Sequence, residues 1–373
     1  MSRIDDLIQA LCPDGVATTP LGSLLDYEQP GKYLVASTDY RDEYPTPVLT
    51  AGQTFVLGHT NETEGIYPAS RERPVLIFDD FTTTFRWVDF PFKAKSSAMK
   101  MLTLKPNAPA LIRYVYFAMQ CIGYDPRDHA RHWIGKYSLF RISVPPLEVQ
   151  REIVGVLDKF TQLEAELEAE LEARRYQYEH YRREALTFGP DVQTSLLGDL
   201  AKNLDSRRKP VTRGARVPGA IPYYGASGIV DYVSDHIFDG DYLLVSEDGA
   251  NLLARTTPIA FSISGKTWVN NHAHVLEFST YVERRFVEVY LNSIDLAPFI
   301  SGAAQPKLNK ANLNKVPIPD PPMAVKEHVV EVLDKFDALL NGISVGLPAE
   351  LAARRRQYEH YRDRLLSFEE LVV

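Results

Sequence analysis

The sequence predicts an α+β protein made of two related mixed α/β domains, each followed by a long helix. Three observations lead to this prediction. One stretch of sequence recurs in the second half of the chain, both copies carry a helical apolar stripe, and the segment before each copy is rich in short β-type runs. A chain of 373 residues is long for one domain and suits two or three.

Two blocks of sequence recur in the same order and define the repeat. Residues 156–160 read VLDKF, and so do residues 332–336, at an offset of 176. ARRYQYEHYR at 173–182 recurs as ARRRQYEHYR at 353–362, but at an offset of 180. The second copy has therefore gained four residues between the blocks, and a duplication explains the pattern better than chance does.

Each copy predicts a long helix with one narrow apolar face. Apolar residues follow one another at spacings of three, four and seven. The stripes are Val149, Ile153, Val156, Phe160, Leu163, Leu167, Leu171, Tyr178, Tyr181 and Ala185, and then Val325, Val329, Val332, Phe336, Leu339, Ile343, Leu347, Leu351, Tyr358, Tyr361 and Leu365. Such a stripe needs a second helix beside it, and the other copy is the obvious partner. Two unrelated surface helices are the alternative.

Prolines and a glycine mark the ends and an interruption of these helices. Pro-Pro pairs stand at 145–146 and at 321–322, which is the same offset as that of the VLDKF blocks. They mark the helix starts, where proline costs least. Gly346 and Pro348 predict a kink or break in the second helix.

The segments before the helices repeat more faintly. Short β-rich runs with Gly and Pro between them lead to one predicted helix in each segment, near 109–121 and 281–293. The aligned runs are TPVLTAGQ (46–53) with IPYYGASG (221–228), PVLIFDDF (74–81) with YLLVSEDG (242–249), and KSSAMKML (95–102) with NNHAHVLE (270–277). The predicted divisions are domains at 1–144 and 189–320, and helical segments at 145–188 and 321–373.

Composition excludes several classes of protein. The hydrophobic share of 45% argues against disorder, and two cysteines are too few for a disulfide framework or a cysteine zinc site. Without a signal-type start or an apolar run long enough to cross a bilayer, we expect a cytoplasmic protein that does not contact a membrane. The net charge of -8 is unusual for a DNA-binding protein, but most of the deficit lies in the helical segments.

With the repeat established, the residues resemble the specificity subunits of type I restriction-modification systems. The resemblance covers essentially the whole chain, and each motif is modest alone but strong in an ordered, duplicated set. The motifs are CPDGV (12–16), PVLTAGQTFVLG (47–58), FDDFTT (78–83), FPFKAKSSAMKML (90–102), IPYYGASGIVDY (221–232), SEDGAN (246–251), WVNNHAHVL (268–276) and the two QYEHYR blocks.

This resemblance implies a division of labour. In that family each of two target-recognition domains reads one half of a split site in double-stranded DNA, and two conserved helical regions pack as an antiparallel coiled coil. The helices set the spacing of the halves and dock two methyltransferase subunits, which bring two ATP-dependent translocase and nuclease subunits. A bipartite site requires two readers at a set separation, and duplicated readers match two identical partners.

The repeated Leu-Glu-Ala-Glu sequence at 163–170 is good helix-forming sequence, and we interpret it also as a ruler. One unit of four residues adds about 6 Å to a helix. Gain or loss of a unit should therefore change the tolerated spacer and leave the half-sites unchanged.

The candidate DNA-contacting residues fall into four groups. A basic run, Lys202, Arg207, Arg208, Lys209, Arg213 and Arg216, suggests phosphate contact from a loop. Lys93, Lys95, Ser97 and Lys100 fall in the region that Asn270, Asn271, His272 and His274 occupy in the second domain, and strand alternation would turn Lys93, Lys95 and Ser97 to one side. Tyr223 and Tyr224 either pack in the core or flank the groove, and Gln305, Lys307 and Asn309 precede the second helix.

Catalytic motifs are incomplete, so we expect neither catalysis nor a cofactor or metal. Ser264-Gly-Lys-Thr267 lacks the first glycine of a P-loop, and Asp320-Pro-Pro-Met323 lacks the aromatic residue of an amino-methyltransferase motif. His272 and His274 lack a third metal ligand. The alternatives are the recognition part of a fused methyltransferase-nuclease, or a coiled-coil scaffold that does not bind DNA.

Overall fold

The computed structural model of the protein describes residues 3–52, 54–128, 130–302, 305–341 and 346–371. Contacts within the chain divide it into two units. The first comprises residues 1–168 and 350–373, and the second comprises residues 169–349. Each unit contains one mixed α/β domain and parts of both long helical segments.

The first domain contains three small sheets. In chain order its elements are α1 (Arg3–Leu11), β1 (Thr18–Pro20), α2 (Leu21–Leu24), β2 (Leu25–Glu28), β3 (Thr46–Leu49), β4 (Val56–Thr60), β5 (Val75–Asp79), β6 (Phe85–Val88), β7 (Lys93–Ala94), β8 (Met99–Leu104), α3 (Ile112–Met119) and β9 (Arg141–Ser143). The strand orders are β2-β8-β5-β6, β4-β3-β7 and β1-β9.

The second domain follows helix α4 (Leu147–Ala185). Its elements are β10 (Thr194–Leu196), α5 (Leu197–Leu200), β11 (Lys202–Asn203), β12 (Pro218–Gly225), β13 (Gly228–Val233), β14 (Phe238–Asp239), β15 (Tyr242–Ser246), α6 (Asn251–Ala254), β16 (Ala260–Ile263), β17 (Lys266–Val269), β18 (Ala273–Glu277), α7 (Tyr281–Ser293), α8 (Lys310–Leu313) and β19 (Pro317–Pro319). The strand orders are β11-β18-β15-β16, β13-β12-β17-β14 and β10-β19.

These strand orders repeat between the domains, apart from β14 at one edge of the second domain. The register repeats as well: Thr19 lies opposite Ile142 in the first domain, and Ser195 lies opposite Ile318 in the second, so both members of the pair keep the offset of the VLDKF blocks. The two predicted domain helices are present as α3 and α7. The structure thus confirms two related α/β domains.

The central strands β5 and β15 are buried along their whole length, because each has apolar material on both faces. In β5, Leu76 and Phe78 face a cluster that includes helix α3, whereas Val75 and Ile77 face a cluster that includes β3 and Phe92. Strand β15 alternates in the same way between two clusters. Each domain therefore has a rigid central strand whose end can hold loops in place.

The long helices begin where the prolines predicted. Helix α4 begins at Leu147, and the C-terminal helical segment begins with α9 (Met323–Asn341) and continues as α10 (Leu347–Leu365). The predicted break is confirmed, and Gly346 adopts a left-handed φ of 119° between α9 and α10. Ile343 of the predicted stripe lies outside the described residues. Within the described ranges, no helix has both the length and the apolarity needed to span a bilayer.

The two copies of the repeat pack against each other within each unit. In the first unit, Phe160 stacks on Tyr361 with ring centres 5.5 Å apart, and Glu164 pairs with Arg355 at 2.6 Å. From Phe160 to Glu164 the residue number rises along α4, whereas from Tyr361 to Arg355 it falls along α10, so these helices are antiparallel. In the second unit, Phe336 lies beside Tyr178 and Tyr181, at 5.9 and 5.6 Å.

An equivalent ion pair fixes a helix of each domain to a long helix. In the first unit the Arg113 Nε lies 2.7 Å from the Asp158 Oδ1, and in the second the Arg285 Nε lies 2.8 Å from the Asp334 Oδ1. Asp158 and Asp334 are the aspartates of the two VLDKF blocks. The identity of these blocks therefore has a structural reason, since each holds its domain against the helices.

Candidate nucleic-acid interface

Three chain segments meet at one end of the central strand in the first domain. The Asp80 N–H donates to the Ala98 carbonyl at 3.1 Å, and the Asp80 carbonyl accepts the His132 N–H at 2.8 Å. The Asp80 carboxylate accepts the Trp133 N–H at 2.8 Å. We call residues 79–84, 95–98 and 131–133 the first loop cluster.

The second domain forms the same arrangement. The Glu247 N–H donates to the His272 carbonyl at 2.9 Å, and the Glu247 carbonyl accepts the Leu308 N–H at 2.8 Å. We call residues 247–258, 270–272 and 305–308 the second loop cluster. These matched bonds identify Asp80 with Glu247, Ala98 with His272 and His132 with Leu308.

These matches correct the sequence alignment by one residue. The alignment at 74–81 paired Asp80 with Asp248, whereas the backbone bonds pair it with Glu247. The next loop begins in the expected register, because the Lys95 and Asn270 N–H groups donate to equivalent carbonyls of β3 and β12. The loop ends at Ala98 in the first domain and at the equivalent His272 in the second. The loop that begins at Lys95 is therefore one residue longer than the loop that begins at Asn270. Strand pairing decides this equivalence, and residue similarity is too weak to do so.

The structure places Lys93 and Lys100 in the interior, contrary to their predicted role at DNA. Lys93 is 4% exposed, and its ammonium lies 2.7 Å from the Glu62 carboxylate and from the Glu64 carbonyl. The Lys100 ammonium is 3.1 Å from the Asp80 Oδ2, and both side chains are 2% exposed. Their charges are already balanced inside the domain, so a phosphate cannot reach them.

The alternation expected for Lys93, Lys95 and Ser97 is also wrong, because strand β7 ends at Ala94. Beyond it the chain turns, and the Ser96 hydroxyl accepts the Ala98 N–H at 3.1 Å. Lys95 and Ser97 are exposed on this turn. They remain suitable for contact with a ligand.

His274 is buried in a charged network of the second domain. Its Nδ1 lies 2.6 Å from an Asp205 carboxylate oxygen and its Nε2 lies 2.7 Å from the Leu308 carbonyl. Arg208 donates to the Glu247 carboxylate at 2.6 Å and lies 3.4 Å from that of Asp205. The predicted roles of His274 and Arg208 at DNA are therefore not supported, since both side chains hold the interior together.

The carboxylates of this network have shifted pKa values. Burial raises the pKa of the Asp205 carboxyl, but the contacts with His274, the Val275 N–H and Arg208 together outweigh it, and the pKa lies below its ordinary value. At Glu247 burial is likewise outweighed, mainly by Arg208, and the pKa is lowered. Asp205, Glu247 and His274 have ligand atoms within 4.8 Å of one another. Their contacts to Arg208 and Leu308 account for the cluster as an ion-pair network.

A cleft of about 900 Å³ opens at the second loop cluster. Its lining includes three residues singled out from the sequence, namely His272, Gln305 and Lys307. The exposed His272 ring lies 2.9 Å from the Asp248 carboxylate, and Asn271 beside it is also exposed. Asn270, in contrast, is buried, and its side-chain oxygen accepts the His272 N–H at 2.8 Å.

Of the three candidates before the C-terminal helical segment, Gln305 and Lys307 are exposed, whereas Asn309 caps a helix. The Lys307 side chain is 51% exposed, and its ammonium lies 3.1 Å from the Glu247 carboxylate. The Asn309 side chain caps α8 by accepting the Asn312 N–H at 3.0 Å.

The basic run of the second domain also contains both exposed cations and cations held in ion pairs. Arg207, Lys209 and Arg213 are exposed, although Arg207 also donates to the Ile237 carbonyl at 2.9 Å. Arg216 pairs with Asp231 at 2.9 Å, and Lys202 pairs with Glu277 at 3.0 Å.

The two tyrosines behave as packing residues. Tyr223 is 1% exposed, and its hydroxyl bonds to the backbone of Val211. Tyr224 is half-buried, with its ring centre 6.1 Å from that of Phe261. Of the two interpretations of this pair, the structure supports packing.

Sequence reasoning missed the segment 127–136 of the first domain. Arg127 and Arg131 are exposed there, and Lys136 pairs with Asp128 at 3.1 Å. The offset of 176 that relates the VLDKF blocks also relates Arg131 to Lys307. Applied to the candidates of the second domain, that offset would have found Arg131.

Comparison with known proteins gives consistent matches. Residues 190–353 match the family model of the type I restriction modification DNA specificity domain. The specificity subunit of the type I restriction enzyme EcoR124I/EcoR124II of Escherichia coli is 38% identical over an alignment 401 residues long, gaps included, which covers 99% of this chain and 98% of that protein. A putative type I restriction enzyme specificity subunit of Haemophilus influenzae is 38% identical over 192 residues, 50% of this chain and 49% of that protein.

Among solved structures, the S subunit of a type I restriction-modification system from M. genitalium has a similar fold. It superposes with a TM-score of 0.63 at 14% identity, covering 94% of this chain and 96% of that one. At this identity the likeness shows the fold alone.

Proposed function

The chain belongs to the family of type I restriction enzyme specificity subunits, and from that premise we propose that each of its two domains reads one half of a split DNA site. The observation that carries the proposal is the duplicated loop cluster, held in both domains by the same backbone bonds at the end of a buried strand. Rigid strands that present exposed loops are a common basis for recognition.

The residues proposed to reach DNA are those whose polar ends are exposed near these clusters. Base edges are read by side chains such as Asn, Lys and Arg, and phosphates are bound by exposed cations. In the first domain the set is Lys95 and Ser97, and in the second it is Arg207, Lys209, Asn271, His272, Gln305 and Lys307.

The net charge of -8 fits a subunit that does not bind DNA unaided. We propose that methyltransferase subunits supply further phosphate contacts and that the chain itself is non-catalytic. Two copies of the methyltransferase subunit, each with an ATP-dependent translocase and nuclease subunit, would match the two related units, because duplicated surfaces suit identical partners. The paired long helices are the proposed docking and spacing element.

Co-expression with a candidate methyltransferase subunit of a type I system tests the proposal, followed by mapping of methylated adenines in genomic DNA. The expected result is one motif with two defined halves and a fixed spacer. A complex that is active on DNA but yields a continuous motif would contradict reading by two domains. If the complex forms and no salt-dependent DNA binding appears, the scaffold interpretation replaces this proposal.

A further inference from the structure

We infer that Arg131 and Lys307 are equivalent phosphate-contacting residues, one in each loop cluster. The inference rests on the proposed function and extends it, because Arg131 lies in a segment that neither the sequence motifs nor the family model singles out. It names one positioning cation for each half of the DNA site.

The backbone places the two residues identically. Arg131 directly precedes His132, whose N–H donates to the Asp80 carbonyl at 2.8 Å, and Lys307 directly precedes Leu308, whose N–H donates to the Glu247 carbonyl at 2.8 Å. The offset between Arg131 and Lys307 is 176, the same as that between the equivalent strands β1 and β10, which pair with β9 and β19.

The buried charges beside them are balanced from within. Asp80 pairs with Lys100 at 3.1 Å, and Glu247 pairs with Arg208 at 2.6 Å as well as with Lys307 at 3.1 Å. Arg131 is exposed, and Lys307 is half exposed at the rim of the cleft. Because Arg208 also keeps Glu247 paired, Lys307 can turn from that acid to a polyanion outside, and exposed Arg131 can do the same.

The pattern of difference between the clusters identifies the ligand group. Arg131 and Lys307 keep a positive charge, whereas the neighbouring Ala98 has His272 as its counterpart. The phosphate groups are the same in every DNA sequence, whereas the bases differ. A residue that binds phosphate can therefore keep its charge in both domains, while a neighbouring residue that contacts bases changes with the half-site. The geometry therefore favours phosphate over base contact for the two cations.

The experiment uses the full chain assembled with its methyltransferase subunit and a duplex carrying the mapped motif. Binding of wild type, Arg131→Ala, Lys307→Ala and the double variant is measured over a range of salt concentrations. Arg71→Ala and Lys266→Ala are matched controls, because exposed Arg71 precedes the start of β5, and exposed Lys266 pairs with Asp239 just before the start of β15.

Each single variant is expected to reduce the slope of log K against log salt by about 0.9, and the double variant by about 1.8, with both half-site sequences still preferred. The controls should match wild type. The inference is overturned if the variants match the controls, or if base preference in one half-site relaxes while the slope is unchanged. Failure of wild type itself to bind would instead refute the proposed function, and this inference with it.

Discussion

Two lysines of the first domain, Lys95 and Lys100, have the same sequence-based prediction and opposite structural roles, and replacing each with methionine separates these roles. The Lys100 ammonium forms a buried pair with Asp80 at 3.1 Å, whereas Lys95 is exposed on the turn after β7. We expect Lys100→Met to destabilise the first unit and Lys95→Met to weaken DNA binding without a change in stability.

The magnitude follows from the burial of the pair. Both side chains are 2% exposed, so the loss of Lys100 leaves a charged Asp80 in the interior with the Trp133 N–H as a remaining donor. Breaking a buried pair by removing one partner costs about 3 to 5 kcal/mol. In a unit of about 190 residues, such a loss lowers the melting temperature by roughly 10 °C.

The assay is thermal unfolding of the full chain followed by circular dichroism, together with DNA binding by the assembled complex. The double variant Asp80→Asn with Lys100→Met should recover part of the lost stability, because no isolated charge remains buried. The reasoning is refuted if Lys100→Met unfolds like wild type and loses DNA binding, since Lys100 would then act at the surface.

Two other predictions concern acid stability and the helix. The lowered pKa values of Asp205 and Glu247 mean that their contribution to stability is complete above about pH 4.5 and is lost as the pH falls through the folded-state pKa. In Glu247→Gln, the free energy of unfolding in urea should therefore fall less steeply on acidification, and an equal slope would count against the network. Adding one Leu-Glu-Ala-Glu unit after Glu170 lengthens α4 by about 6 Å. Methylation mapping should then show the same half-sites with a changed spacer, and altered half-sites would contradict the ruler.

The duplication and the helices were predictable because they depend on local patterns. Identical VLDKF blocks, proline pairs and a seven-residue apolar spacing are visible in one dimension, and the structure places α4, α9 and α10 accordingly. Gly346 and Pro348 predicted the break between α9 and α10, and in the structure Gly346 adopts a left-handed φ, which glycine favours. Even the identity of Asp158 and Asp334 finds its reason in one repeated ion pair.

Exposure could not be predicted, because it depends on which partners the fold brings to each side chain. Lys93 and Lys95 lie two residues apart, but Glu62, in the loop after β4, pairs with the buried Lys93, and a turn after Ala94 exposes Lys95. His272 is likewise exposed, whereas His274 is buried. His274 bonds to Asp205, which is 69 residues away in sequence and 2.6 Å away in space.

The sequence by itself determined that the chain is two related α/β domains with a pair of long helices, since repetition and periodicity are properties of the chain order. Only the tertiary structure decided which charges face inward and which residues of the two domains correspond. Pairing between strands sets the register that matches Asp80 with Glu247 and Ala98 with His272. Burial then makes a cation beside an acid a structural ion pair, whereas the same residue type on an exposed turn remains available to DNA.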